Sequence, residues 1–203
     1  MILTQYYLSC LSHGSYLIAD ETTGRAVVVD PRRDVSEYLA DATAQGLQIV
    51  GVINTHVHAD FVAGHLELAA ATGAWIGYGA VAAPKAEFEV RPLRHGDHIS
   101  LGEVDLEILE TPGHTWESIS VLVREHGPDD TPHAVLTGDS MFIGAVGRPD
   151  LVVSDGSTAE DLAQAMYRTV HEVLLALPDE TVVYPAHGAG SACGKNLSNE
   201  LDS

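Results

Sequence analysis

The chain has 203 residues, of which 45% are hydrophobic, an ordinary composition for a globular protein of one domain. It carries 10 Lys and Arg against 29 Asp and Glu, a formal net charge of −19. Because this charge repels phosphate backbones and anionic lipid surfaces, we expect neither nucleic acid nor a membrane as a partner. No apolar run approaches the roughly 20 residues of a membrane span, and the start lacks the features of a secretory signal. We therefore expect a cytoplasmic protein.

The first half of the chain predicts short strands and two helices. Residues 16–19 and 26–30 are apolar runs that flank turn residues, which indicates a hairpin. A helical stretch over 34–46 is followed by the apolar run 49–53, which fits a strand covered on both faces. A second helix is expected from about residue 60 to residue 71.

The second half predicts further strands and one long helix. The helix covers roughly 158–177, with Ser157 and Glu160 as its capping box and Pro178 as its end. Strands are expected within 75–125, including 118–123, and over 134–137 and 181–184. The strands come in two clusters, each with a helix, which indicates an α/β protein with two packed sheets and helices outside: an αββα four-layer sandwich.

Three metal-binding side chains follow the predicted buried strand 49–53 closely. His56, His58 and Asp60 alternate along the chain, and an imidazole pair with this spacing can converge on one cation at the mouth of a sheet. The alternative is a group of surface histidines, with Asp60 capping the helix that follows.

Three later residues favour the metal site because each directly follows a predicted strand or turn. His114 comes after a Pro-Gly turn, Asp139 ends a buried strand, and His187 ends the last strand. Metal sites commonly form from ligands on loops at the ends of strands in a rigid sheet. Six other histidines lack such a setting and are interpreted as structural or incidental: His13, His95, His98, His126, His133 and His171.

The segment 56–60, His-Val-His-Ala-Asp, followed in order by His114, Asp139 and His187, resembles the metal signature of the metallo-β-lactamase superfamily. The resemblance covers nearly the whole chain and implies the αββα sandwich. Members of that superfamily with two metals usually carry a histidine directly after the aspartate, where this chain has Phe61. Because phenylalanine cannot ligate a metal, a two-metal hydrolase is disfavoured.

Three segments narrow the resemblance to one group within the superfamily. Residues 58–65, 147–151 and 187–195 are similar to those of persulfide dioxygenases, above all bacterial forms in which rhodanese domains follow the lactamase-like domain. This resemblance implies an enzyme that oxidises a small thiol persulfide, such as glutathione persulfide, with O₂ to sulfite and thiol. The chain would then be a single metallo-β-lactamase-like domain over residues 1–203, either truncated at its C-terminus relative to those proteins or a stand-alone version of them.

The resemblance also implies a ligand set. One Fe(II) per chain would be held by His56, His114 and Asp139, with zinc as a substitute. Two histidines and one carboxylate leave open positions on a non-haem iron for substrate and O₂. The remaining motif residues would hold water, orient the ligands or form an alternative second metal site: His58, Asp60 and His187.

Arg148 and Cys193 are the candidate catalytic residues outside the metal site. Arg148 would bind a substrate carboxylate or the developing sulfite, or else form a loop ion pair with Asp150. Cys193 would carry or accept persulfide sulfur, with Lys195 favouring its thiolate, or else be a small buried thiol in a tight loop. The other cysteine, Cys10, lies among apolar residues and is expected to be packed.

Two other functions stay open at this point. One is a zinc thioester hydrolase resembling glyoxalase II, and the other is a sulfur-handling module that passes persulfide to another domain. The expected partners are a small thiol persulfide and O₂, together with a rhodanese partner and a second copy in a homodimer.

Overall fold

A computed structural model describes residues 1–151, 158–194, 197–198 and 200–203 of the chain. The first strands and helices are β1 (Ile2–Leu8), β2 (His13–Ala19), β3 (Arg25–Val29), α1 (Ser36–Ala44), β4 (Gln48–Ile53), α2 (His65–Thr72), β5 (Trp75–Gly79) and β6 (Arg91–Leu93). They are followed by β7 (His98–Ser100), β8 (Asp105–Glu110), β9 (Ile119–Arg124), β10 (Ala134–Gly138), β11 (Met141–Phe142), β12 (Ala145–Val146), α3 (Ala159–Arg168) and β13 (Val182–Pro185).

The first sheet has six strands in the order β1-β2-β3-β4-β5-β6. β1, β2 and β3 are antiparallel neighbours, and Tyr16 pairs with Val29 across the β2–β3 hairpin. From β3 to β6 the strands are parallel. The predicted hairpin and the predicted strand over 49–53 are therefore confirmed.

The second sheet has five strands in the order β13-β10-β9-β8-β7. β13 and β10 are parallel, whereas β10, β9, β8 and β7 pair antiparallel. β11 and β12 form a separate two-stranded ribbon. Because β8 and β10 are both antiparallel to β9, they run in the same direction, and β13 is parallel to β10. The C-terminal ends of β8, β10 and β13 therefore lie at the same end of this sheet.

Side chains along β2 alternate between two cores, as the period of a strand requires. Tyr16 and Ile18 belong to the core between the two sheets. Leu17 belongs to a second core, on the outer face of the first sheet, with Tyr38 of α1 and Leu68 of α2. The first sheet is thus covered by the second sheet on one face and by helices on the other.

The outer face of the second sheet is covered in the same way. Leu122 of β9 and Val135 of β10 pack with Leu174, which ends the π-helical segment Thr169–Leu174 after α3. The predicted αββα sandwich is confirmed. Within the described residues, every helix is too short or too polar to cross a bilayer.

The second predicted helix begins later than the expected residue 60, because α2 starts at His65. Gly64 explains the late start: its N–H donates to the carbonyl of Pro31, and a Cβ there would lie 2.2 Å from the carbonyl oxygen of Arg32. This contact fixes the segment before Gly64 against the loop after β3. The carboxylate of Asp60 is turned away from the helix to His187, 2.9 Å away.

The long predicted helix is divided into α3 and the π-helical segment that follows it. Thr158 and Asp161 form the capping box at the start of α3, each side chain bonding the backbone N–H of the other. The capping box predicted from Ser157 and Glu160 is therefore wrong by one residue, and Ser157 itself lies outside the described residues.

The carboxylate of Asp20 fastens the two sheets together. One oxygen accepts hydrogen bonds from Thr22 and from the N–H of Thr23, in the β2–β3 turn. The other accepts the N–H groups of Glu103 and Val104, in the turn between β7 and β8. Burial raises the pKa of Asp20, but hydrogen bonds from Thr22, Val104 and Thr23 outweigh burial and hold the pKa well below its usual range.

We expect Asp20→Asn to lower the free energy of unfolding by about 3 kcal/mol at neutral pH, because the amide NH₂ faces N–H donors that lose their acceptor. The difference from wild type should shrink below about pH 4, since a carboxylate with a lowered folded pKa loses its stabilisation as pH falls from the unfolded toward the folded pKa. Urea unfolding at several pH values measures both effects. Asp34→Asn is the control, because the carboxylate of the exposed Asp34 accepts from Ser36 beside it and does not join the two sheets. Equal losses in both variants would contradict the assignment.

Candidate metal centre

The structure brings His56, His114 and Asp139 together at the ends of β4, β8 and β10. Nε2 of His56 lies 3.7 Å and Nε2 of His114 lies 3.5 Å from Oδ2 of Asp139. One donor atom from each residue lies within 4.8 Å of the others, and all three residues are buried. Donors about 2.1 Å from a common cation lie roughly 3 to 3.5 Å apart, so the spacing is close to that of a ligand set.

The electrostatics of these residues also fit a cation. Within the described part of the chain, Oδ2 of the buried Asp139 has no hydrogen-bond donor. Such an oxygen is costly to bury unless a cation or a water satisfies it. Burial, and then the neighbouring His58, lower the pKa of His56 to about 3, so its imidazole is in the neutral form that binds metals.

Hydrogen bonds on the far side of each ring turn the Nε2 atoms toward Asp139. Nδ1 of His114 donates to the carbonyl oxygen of Arg148, 3.1 Å away. Nδ1 of His56 lies 3.0 Å from the hydroxyl of Thr55, which itself donates to Asp30 and therefore accepts from the ring. Partners of this kind fix the tautomer and orientation of metal-binding histidines.

Asp30 is the residue behind this arrangement that the sequence analysis missed. It follows β3 in the left-handed conformation, with φ of 51°, and is 1% exposed. Its carboxylate accepts from the N–H of Thr55 at 2.7 Å, from the Thr55 hydroxyl at 2.8 Å and from Nε2 of His58 at 2.8 Å. The signal in the sequence is an aspartate directly after an apolar strand, the same signal that identified Asp139.

His58 stands apart from the three converging residues. Among the described residues, the group around Asp139 Oδ2 comprises His56, His114 and Asp139, without His58. The Nε2 of His58 is held by Asp30, and its ring centroid lies 4.4 Å from that of Phe61.

His187 lies between two carboxylates. Its Nδ1 is 2.7 Å from Oδ1 of Asp139, and its Nε2 is 2.9 Å from Oδ2 of Asp60. Burial lowers the pKa of His187, but the two carboxylates outweigh burial and raise it to about 10. The predicted supporting residues Asp60 and His187 are thus joined to the metal centre through Asp139.

Cys193 is buried beside Asp60 and His187. Donor atoms of these three residues lie within 4.8 Å of one another, and Cys193 is 6% exposed. Burial, and then the charge of Asp139, raise the pKa of the thiol well above its usual range. Lys195, expected to favour the thiolate, lies outside the described residues.

The environment of Cys10 differs from the prediction. Cys10 was expected to be packed but is exposed. It lies in the turn after β1, where the chain reverses toward β2, and its neighbours Ser9 and Leu11 are exposed as well.

The backbone carbonyl of Arg148 orients His114, whereas the guanidinium of Arg148 forms an ion pair with Asp150. The side chain makes two bonds to Asp150, at 3.0 and 2.7 Å, as in the ion-pair alternative raised from the sequence. Its carbonyl accepts from His114, and its N–H donates to the carbonyl of Cys193 at 2.9 Å.

His13 is a second residue that sequence reasoning set aside. It is fully buried, with its ring centroid 4.1 Å from that of Phe61 and 5.5 Å from that of His187. Burial, and then the charge of His58, lower its pKa to about 3. His13 reaches the site through an isolated β-bridge with His187, a long-range pairing that leaves no local signal in the sequence.

Comparison with known proteins agrees with this geometry. The family model described as the metallo-beta-lactamase superfamily matches residues 9–187. The chain belongs to this superfamily. Its predicted fold, and the prediction that persulfide dioxygenases are among its relatives, are both confirmed.

The relatives of this metallo-β-lactamase-like chain include proteins named as hydrolases and proteins named as dioxygenases. A hydroxyacylglutathione hydrolase of Polaromonas sp. is 38% identical over 85% of this chain and 61% of its own length. The mitochondrial persulfide dioxygenase ETHE1 of Bos taurus is 28% identical over 85% of this chain and 63% of its own length. The crystal structure of ETHE1 from Myxococcus xanthus has a TM-score of 0.80 at 32% identity, over 96% of this chain and 79% of that one. The chain thus spans less than two thirds of the curated relatives it matches.

We expect Asp30→Asn to weaken metal binding by about 10- to 100-fold, because it disturbs the contacts that orient His56 and His58. Asparagine tolerates the left-handed backbone at this position. Competition between the protein and a chromophoric chelator for Co²⁺ measures the affinity. Asp105→Asn is the matched control, since Asp105 also bonds a histidine, His98 at 2.6 Å, but on β7 and β8. Unchanged affinity in Asp30→Asn would contradict the role.

Proposed function

We propose that this chain is a persulfide dioxygenase that holds one Fe(II) with His56, His114 and Asp139. The reaction is R–S–SH + O₂ + H₂O → R–SH + H₂SO₃, with sulfite as the product after loss of protons. The observation that supports this proposal most directly is the convergence of two imidazoles and one carboxylate around Asp139 Oδ2, with His58 outside the group.

This donor set suits a reaction between two small molecules. Two histidines and one carboxylate are the ligands of many non-haem iron oxygenases, and they leave positions open for substrate and O₂. Ferrous iron in this site would supply the electron chemistry that joins oxygen to the terminal sulfur. The protein residues hold the ligands in place, and the burial of His56 and Asp139 keeps bulk water from the reacting atoms.

Phe61 favours one metal over two. It occupies the position after Asp60 where two-metal relatives usually have a histidine, and its ring packs on His58 and His13. The dioxygenase relative at 28% identity and the ETHE1 structure at 32% identity support the same proposal.

A zinc-dependent thioester hydrolase is the second candidate. The observation in its favour is the 38% identical relative named hydroxyacylglutathione hydrolase. In this case a water activated by zinc, rather than O₂, would attack the substrate. Both candidates act on small thiol derivatives, so they differ in the metal and in the reaction at sulfur or carbon.

Arg148 and Cys193 handle the substrate in this proposal. Arg148 exchanges its bond to Asp150 for a carboxylate of the thiol carrier, since guanidinium binds carboxylates in a bidentate way. Cys193 receives persulfide sulfur by exchange, R–S–SH + Cys–SH → R–SH + Cys–S–SH, which balances without an oxidant. A rhodanese partner, a homodimer and a cytoplasmic location stay predictions of the sequence.

Protein reconstituted anaerobically with Fe(II) should consume O₂ when given glutathione persulfide, and should release one sulfite per O₂. We expect His114→Ala to lower this rate at least about 100-fold, because it removes a ligand. An oxygen electrode and a sulfite assay measure the two quantities. Cys10→Ser, at the exposed cysteine, is the control and should keep the wild-type rate. If the iron form is inert while the zinc form cleaves S-lactoylglutathione, the hydrolase is correct instead.

Arg148→Ala should raise KM for glutathione persulfide about tenfold, equivalent to about 1.4 kcal/mol of binding free energy. The iron content should not change, because His114 bonds the backbone of Arg148 and not its side chain. Steady-state O₂ uptake and metal analysis test both parts. Arg168→Ala removes an exposed arginine from α3 and is the charge-matched control. A KM that is unchanged in Arg148→Ala would show that the guanidinium serves only the ion pair.

A further inference from the structure

Glu117 joins the two loops that carry the imidazoles of the metal centre. It lies between β8 and β9, three residues after the proposed ligand His114. Its carboxylate oxygen Oε1 accepts the N–H of Val57 at 3.2 Å. Val57 is the residue between His56 and His58, on the loop after β4. The contact therefore connects a loop of the second sheet with a loop of the first.

The loop that carries Glu117 is closed by its own hydrogen bonds. At its base, the N–H of Thr111 donates to the carbonyl of Ser118 at 2.9 Å. Inside it, the hydroxyls of Thr115 and Ser118 lie 2.7 Å apart and share a hydrogen bond. Because His114 and Glu117 both lie within this closed loop, their backbones hold a fixed position relative to each other.

The end of this loop packs directly on the first sheet. The N–H of Ile119, which begins β9, donates to the carbonyl of Thr55 at 2.8 Å. The carbonyl oxygen of Glu117 lies against Gly79, the last residue of β5, where a Cβ would be 2.1 Å from that oxygen. These contacts leave the loop little room to move relative to β4 and β5.

Two hydrogen bonds from this segment flank His56. The residue before His56 accepts the N–H of Ile119, and the residue after it, Val57, donates to Glu117. The ring of His56 lies 5.0 Å from that of His114 between centroids, at an interplanar angle of 89°. A ligand whose backbone is held on both sides loses less freedom when it binds a cation, so a hold of this kind favours metal binding.

The side chain of Glu117 differs from that of an ordinary acidic residue on a surface loop. It is half-buried, and its charge acts on the first sheet: burial, and then the charges of Asp30 and Glu117, raise the pKa of Tyr78 on β5. The side chain of Val57 is 54% exposed, so its N–H lies in a part of the chain that water reaches. The bond from Glu117 holds this N–H in one direction, which a mobile water does not do.

We propose that Glu117 is a positioning residue of the metal centre, which fixes the spacing of His56 and His114 through the backbone of Val57. Glu117 plays from the second sheet the part that Asp30 plays from the first. The inference rests on the metal centre and not on the proposed reaction, because a zinc hydrolase and an iron dioxygenase need the same ligand spacing.

Co²⁺ affinity, measured by competition with a chromophoric chelator, tests this role without any turnover. We expect Glu117→Ala to weaken binding about tenfold and to change the visible absorption bands of Co²⁺, which report ligand geometry. Glu117→Gln should stay within about threefold of wild type, because an amide oxygen accepts the same N–H. Asp97→Ala is the matched control, since Asp97 accepts a backbone N–H, from Arg94 at 2.8 Å, in the turn between β6 and β7.

Hydrogen exchange at the Val57 amide, followed by NMR, tests the contact itself in the metal-free protein. We expect exchange at least about tenfold faster in Glu117→Ala than in wild type, and little change in Glu117→Gln. Equal exchange rates in wild type and Glu117→Ala would overturn the proposal.

Two outcomes of the affinity measurement would also overturn it. If Glu117→Gln loses as much affinity as Glu117→Ala, the charge is responsible and not the hydrogen bond. If Asp97→Ala weakens binding as much as Glu117→Ala, the loss is a general effect of removing a negative charge. Neither measurement uses persulfide or O₂, so failure of this inference and failure of the dioxygenase activity are distinguishable.

Discussion

The buried carboxylate of Asp139 is the group on which the rest of the site depends. Its Oδ2 lies between the Nε2 atoms of His56 and His114, and its Oδ1 lies 2.7 Å from His187. One side chain therefore belongs to the proposed iron site and is also tied to the neighbouring group with Cys193. Because a buried charge is costly without partners, these contacts on both oxygens hold the carboxylate in place.

Other residues of the sandwich hold these side chains in place through hydrogen bonds and close contacts. Asp30, on the first sheet, holds Thr55 and His58, and the carbonyl of Arg148 holds His114. Gly138 closes the gap between the sheets: a Cβ there would lie 2.5 Å from the Thr55 hydroxyl, so the two strand ends approach directly. A site built on strand ends in this way keeps its geometry while the loops around it vary.

Relatives named as hydrolases and as dioxygenases share this framework, so the fold alone does not select the reaction. Which reaction takes place depends on which donor atoms reach the cation and on the residues beside those donors. In this chain Phe61 fills one position with an apolar ring, and Cys193 places sulfur near His187. These two residues set the surroundings of Asp139 in this chain.

The sequence by itself predicted the β2–β3 hairpin, β4, the αββα layers and, through its resemblance to persulfide dioxygenases, the candidate metal ligands His56, His114 and Asp139. Apolar periodicity is local, and a polar residue directly after an apolar strand must lie at a sheet edge. The start of α2, the partners of Asp30 and the burial of His13 were decided by the tertiary structure. They depend on contacts between segments far apart in the chain, such as the bridge between His13 and His187, and no local pattern encodes such contacts.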